Sequence, residues 1–207
     1  GRILRDQENE DFFKLSIKQR QRINKNKFYA KSKAYFKKAQ ETGYAIIKKY
    51  KNFKDIGEVY YILAFNEKEN GNLKNAKMLL NRSFKLSRKN SSAYNNSNIA
   101  IADIFYGDGD YQRSRKHYNR VISNFKNDKW YTRYLYNLAW SNYRVGKRIT
   151  AERQMKEVWR LSENSKYVNK KDLAQRDLGY FYTDQGKLKT AKSFYTKIGG
   201  DTAKNFF

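Results

Sequence analysis

The chain has 207 residues and carries 45 Lys/Arg against 20 Asp/Glu, a formal net charge of +25, with no Cys, no Pro and a single His. The missing thiols exclude disulfides, thiolate metal sites and a cysteine nucleophile, and no apolar run approaches the roughly 20 residues that a membrane-spanning helix needs. A mean hydropathy of −1.02 is offset by 39% hydrophobic and 16% aromatic residues, whose 18 Tyr and 13 Phe can fill a core.

The chain opens Gly1-Arg2-Ile3-Leu4 without Met, as expected of a processed fragment, which leaves room for a signal peptide or lipid anchor ahead of it. Residues 1–55 read as a basic N-terminal helical segment. From Phe12 to Lys54 there are fourteen Lys/Arg against one acid, Glu41. Lys14, Lys18 and Arg22, then Lys33 and Lys37, recur at near-helical spacing, which predicts a helical stretch from Phe12 to Tyr50 with a basic outer face. Within it, Ala39, Gly43, Ile46 and Tyr50 repeat the second half of a motif that dominates the rest of the chain. No turn glycine precedes them, so Phe28 to Tyr50 reads as one long helix.

From Ile56 onward a four-beat pattern recurs: a small residue, Gly seven later, a small residue five after that, and a bulky one four further on. It reads Ala64–Gly71–Ala76–Leu80, Ala102–Gly109–Ser114–Tyr118, Ala139–Gly146–Ala151–Met155 and Gly179–Gly186–Ala191–Tyr195. A branched aliphatic precedes each first beat: Leu63, Ile101, Leu138 and Leu178. Fixed spacing of this kind marks a repeat architecture. Each unit reads as two antiparallel helices. The glycine takes the positive φ that ends the first, and the small residues stand where the helices cross. The bulky residue fills the seam. Tyr118, Tyr195, Phe84 and Phe125 read as seam packing, and Trp130 and Trp159 as further cover for the core. Without proline, helix ends rely on Asn, Gly and Lys, as in Lys89-Asn90-Ser91-Ser92 and Lys126-Asn127-Asp128.

The spacing resembles the tetratricopeptide repeat (TPR) from Ile56 to about Ala203. The copies run over about 56–90, 95–128, 132–165 and 172–205, behind the degenerate one. The resemblance implies an all-α, right-handed superhelical solenoid that works through its surface. The family usually places Pro after the second helix; here Lys51, Arg88, Lys126 and Glu163 stand instead. The three to six residues beyond the family's period of about 34 are expected in the loops between repeats. Two shorter likenesses point to a bacterial setting. Tyr118–Phe125 and Ala45–Tyr50 look like segments of envelope TPR proteins such as the barrel-assembly lipoprotein and the Tol–Pal coordinator. Asp177–Tyr182 with Lys197–Gly200 is similar to TPR proteins of gliding and predatory deltaproteobacteria. They imply a periplasmic or envelope location, with cytoplasm as the alternative, and carry over no functional residue.

Candidate binding residues lie on the first helix of each pair, at or near the position after the first small residue. They are Tyr61, Phe65, Asn96, Asp103, Tyr106, Arg133, Tyr136, Asn137, Trp140, Tyr143, Arg176 and Tyr180. Aromatic rings interleaved with Asn and Arg suit a concave groove that holds a peptide or a partner helix. In TPR proteins that grip a C-terminal carboxylate, the corresponding first-helix places hold Lys and Asn. Here they hold Tyr61 and Phe65, which disfavours a chaperone-tail receptor. The alternative is a nucleic-acid or anionic-polymer binder using the basic faces, including Tyr111–Lys166 with fourteen Lys/Arg against four acids. Such charge also suits a merely solvated surface.

No catalytic, metal or cofactor site is expected. His117 stands without a second His or Cys. Asp108-Gly109-Asp110 lacks the further carboxylates of a calcium loop, and Asp110 reads as a helix cap. Phosphate-loop and dinucleotide fingerprints are missing. The chain reads as a non-enzymatic scaffold.

Overall fold

The computed structural model describes residues 2–198, in which the ordered elements are α-helices and one 3-10 turn. The packing divides into two compact units, Gly1–Tyr94 and Asn95–Phe207. The end of the fourth repeat, including Gly199, Gly200 and Ala203, lies outside the described residues.

The first unit opens with α1 (Arg2–Lys14), α2 (Ile17–Arg22), α3 (Lys25–Phe28) and α4 (Ala30–Lys49). The basic stretch is therefore not the continuous helix its charge spacing predicts. Ser16 and Asn24 interrupt it, because each accepts backbone N–H groups through its side chain and so starts a new helix. The long-helix expectation for 28–50 holds from Ala30. Ahead of it Phe28 belongs to α3, and Tyr29 joins the two.

α4 packs on α5 (Ile56–Glu69), which pairs with α6 (Leu73–Leu86). Gly43 is the contact point between α4 and α5: a Cβ built there would meet Leu63 Cδ2 at 2.8 Å. Asn66 Nδ2 donates to the Phe36 carbonyl at 3.0 Å in the same interface. Between α5 and α6, Ala64 and Ala76 are buried at the crossing, with Leu63 and Leu80 around them. Ser83 Oγ donates to the Gly57 carbonyl at 2.7 Å.

The second unit holds most of α7 (Ser92–Gly107), then α8 (Tyr111–Val121), a 3-10 turn (Ile122–Phe125), α9 (Tyr131–Arg144), α10 (Arg148–Leu161), α11 (Lys171–Asp184) and α12 (Leu188–Ile198). Its seams are built from the motif residues. Ile101, Ala102, Ser114, Tyr118, Leu138, Ala139, Ala151, Met155 and Leu178 are all fully buried.

All four glycine turns share one geometry. Gly71, Gly109, Gly146 and Gly186 have φ of 80°, 75°, 81° and 67°. In each, the glycine N–H donates three residues back and the next N–H five back, as in Asn142 O accepting from Lys147 N at 2.8 Å. These bonds close the last carbonyls of the first helix and turn the chain into the second. Asn72 and Asp110 then cap α6 and α8. The surplus over the short period sits between the pairs. Asn90 takes a left-handed φ of 66° in one connection. The longest, 162–170, is tied back by Val168 N donating to Lys129 O at 2.8 Å and Thr132 Oγ1 to Val168 O at 2.6 Å. Trp130, read as cover for the core, is only partly covered itself. It is 39% exposed in a loop, with Lys129 Nζ 5.2 Å from its ring.

Candidate protein-binding faces

In the second unit the predicted residues gather around two carboxylates. Asp103, on α7, accepts from the Tyr118 hydroxyl at 2.5 Å, from Arg133 Nη2 at 2.5 Å and from Asn137 Nδ2 at 3.4 Å. Asn137 also donates to the Tyr118 oxygen at 3.1 Å. Burial, then Asp103, pushes the Tyr118 hydroxyl well above its ordinary pKa, so it remains a donor. Asn96 lies half-buried on α7, about two turns before Asp103.

The second carboxylate is Asp177, on α11 and only 4% exposed. It accepts from the Trp140 indole at 2.8 Å, from the Tyr136 hydroxyl and from Arg176 at 3.0 Å. Burial and the bond to Asp177 raise the Tyr136 pKa. The position after the small residue in one repeat (Asp103, Trp140) thus bonds to the position two before it in the next (Asn137, Asp177). The same link recurs with donor and acceptor exchanged.

Beside this link the aromatic rings meet. Trp140 lies 5.8 Å from Tyr180 and 5.0 Å from Phe181, and Tyr143 stacks on Phe181 at 4.0 Å. Tyr143 is buried, and its hydroxyl bonds to Asp184, which also pairs with Arg148 at 3.2 Å. It serves packing rather than an open surface. Tyr180 is 47% exposed and Trp140 half-buried, with the Arg144 guanidinium 5.3 Å from the indole. Tyr106 packs edge-on against Tyr111 at 5.7 Å, and burial pushes its pKa up to about 12.

In the first unit, Tyr61 and Phe65 line a cleft of about 290 Å³ between α4 and α5, with Tyr35, Phe36, Ala39 and Ile62. Phe36 and Phe65 are 6.2 Å apart. Tyr35 is 58% and Ile62 50% exposed.

Sequence reasoning did not nominate Asp177, Phe181, Asp184 or the rim arginines Arg144 and Arg148. Asp177 carried a signal: it stands two before Gly179, as Asn137 stands two before Ala139. His117, set aside as non-catalytic, is 8% exposed with Nδ1 2.9 Å from Asn98 Oδ1. Burial, then Arg120 and Lys116, lowers its pKa to about 4. No cluster of His, Cys, Asp or Glu that could hold a metal occurs among the described residues, and no described helix is long and apolar enough to cross a membrane.

No protein-family sequence model matches the chain, and no curated protein matches it in sequence. Solved structures do match. BtubC (BKLC) from P. vanneervenii superposes with a TM-score of 0.61 at 17% identity, over 87% of this chain and 76% of that one. A point-substituted form of a putative kinesin light chain of Podosopora anserina, with nearly identical TPR-like repeats, gives 0.59 at 13%, covering 84% and 86%. A second structure of that putative kinesin light chain gives 0.55 at 14%, covering 82% and 92%. The fold is a TPR-like helical repeat. At these identities the likeness is one of architecture. It agrees with the turn glycines and buried small residues found in each TPR-like pair.

Proposed function

We propose that this chain is a non-enzymatic TPR-like scaffold that binds a protein partner through its first-helix aromatic faces, in a bacterial envelope or motility assembly. The observation that carries the reading is Tyr180: a large ring, 47% exposed, backed by Trp140 and bordered by Arg144 and Arg176. A half-open aromatic with a cationic rim is the composition of a binding hot spot. The polar residues behind it bond to one another, which holds the rings in place and leaves apolar contact and arginine charge for recognition. The cleft at Tyr61 and Phe65 offers a second apolar face on the other unit. The solved neighbours support a repeat scaffold, and the envelope or motility setting rests on the short segment likenesses.

The test is recovery of a partner from the native host with the full chain, followed by titration of that partner. Tyr180→Ala should weaken binding by about tenfold or more. Exchange of Lys37 and Lys38 for Gln should change it little at physiological salt, where exposed charges are screened. Binding abolished by the lysine exchange, indifferent to Tyr180→Ala and falling steeply with salt would instead establish polyanion recognition.

A further inference from the structure

The corner between α1 and α2 presents two large apolar side chains to solvent: Phe13 is 65% and Ile17 71% exposed. The corner is a built feature. Arg20 reaches back from α2 and donates to the carbonyls of Leu15 at 2.8 Å and Phe13 at 2.7 Å. Ser16 and Gln19 form a reciprocal capping box that starts α2. Phe12 turns inward against Phe28 and Tyr29, at 5.8 and 6.1 Å. Phe13 meets Phe12 edge-on at 5.9 Å, with the Arg20 guanidinium 5.4 Å from its ring, and keeps its outer side in water. Around the corner Lys14, Lys18, Arg22 and Lys25 are exposed. Of these four, Lys14 has a carboxylate partner, Asp11 at 3.3 Å.

Exposed Phe and Ile set rigidly among exposed cations combine the two attractions of a peripheral membrane site. Apolar side chains enter the boundary between headgroups and acyl chains, while lysines and arginines meet anionic headgroups. We propose that this corner docks the protein onto an anionic lipid bilayer, with Phe13 and Ile17 inserted and Lys18, Arg22 and Lys25 against the headgroups. Nucleic acid would use the same charges and could stack a base on Phe13, but an exposed aliphatic side chain such as Ile17, 71% exposed, gains more from acyl chains than from bases. The proposal is independent of the aromatic faces on the later repeats.

The experiment is flotation of the full chain with vesicles of phosphatidylcholine alone, or with about one-third phosphatidylglycerol, at physiological ionic strength. Binding is expected to the anionic vesicles only. Phe13→Ser with Ile17→Ser should lower the bound fraction by about tenfold, as should Lys18→Glu with Arg22→Glu. Phe13→Trp gives a second readout: brominated acyl chains should quench the added indole fluorescence relative to the unsubstituted protein. The proposal is overturned by absence of binding to anionic vesicles, by binding that the Phe13/Ile17 exchange leaves unchanged, or by an unquenched indole at position 13. A short single-stranded RNA that binds while vesicles do not would overturn it in favour of nucleic acid.

Discussion

Trp140 and Asp177 are joined by a 2.8 Å hydrogen bond from indole to carboxylate, which ties α9 to α11 across successive repeats. The bond gives Trp140 a structural duty alongside any surface one. Trp140→Phe keeps most of the ring contact but leaves Asp177 one donor short, and should cost about 1–2 kcal/mol. Asp177→Ala leaves the half-buried Trp140 and Tyr136 donors without their shared acceptor and should cost more, about 2–4 kcal/mol. Urea unfolding of the two variants checks the order. An Asp177→Ala protein as stable as the parent would show that the carboxylate does not hold the repeats together.

His117 gives the stability a defined pH dependence. Its folded pKa, about 4, lies below the ordinary 6.5 because burial, Arg120 and Lys116 all disfavour the charged ring. As pH falls below about 6.5 the unfolded chain takes up this proton first, so folding weakens progressively until pH nears 4. One proton corresponds to at most about 1.4 kcal/mol per pH unit. His117→Gln, which replaces the titratable imidazole beside Asn98 with a neutral amide, should flatten the fall in Tm between pH 7 and 5. An equal slope in both proteins would mean that His117 is not buried as a neutral ring.

Gly57 and Gly146 are needed for different reasons. A Cβ at Gly57 would stand 2.1 Å from Ser87 Oγ and 3.0 Å from the Ser87 backbone, so the Ser87 side chain must turn away and the backbone at this contact must give slightly. Gly57→Ala is expected to cost about 1–3 kcal/mol through overpacking. At Gly146 nothing lies within 4 Å of the added atom, and φ is 81°. Gly146→Ala should therefore cost about 1–2 kcal/mol from backbone strain alone. Gly146→Asn should recover part of it, since Asn tolerates this region, as Asn90 shows here. Thermal melts of the three variants separate the two mechanisms.

Ala139 is fully buried at the crossing of α9 with α10. Ala139→Leu should push the pair apart, lowering stability by about 1–3 kcal/mol. An unchanged denaturation midpoint would contradict the crossing assigned to this residue.

The repeat architecture was legible because its determinants are local and periodic. A glycine that must take positive φ, and a small residue that must let two helices cross, impose their identity at a fixed spacing whatever surrounds them. Hence Gly71, Gly109, Gly146 and Gly186, with Ala64, Ala102 and Ala139, could be placed from the sequence alone. The N-terminal break was less legible, since charge spacing continues through Ser16 while a hydroxyl and a glutamine side chain decide where the helix restarts. What only the tertiary structure decided is how the first-helix side chains spend their polarity. Tyr143 and Tyr180 read alike in sequence, yet one stacks on Phe181 and is buried while the other remains half open. Their difference depends on where α11 lies against α9, a distance fixed by packing between residues about 40 positions apart and encoded in neither local segment.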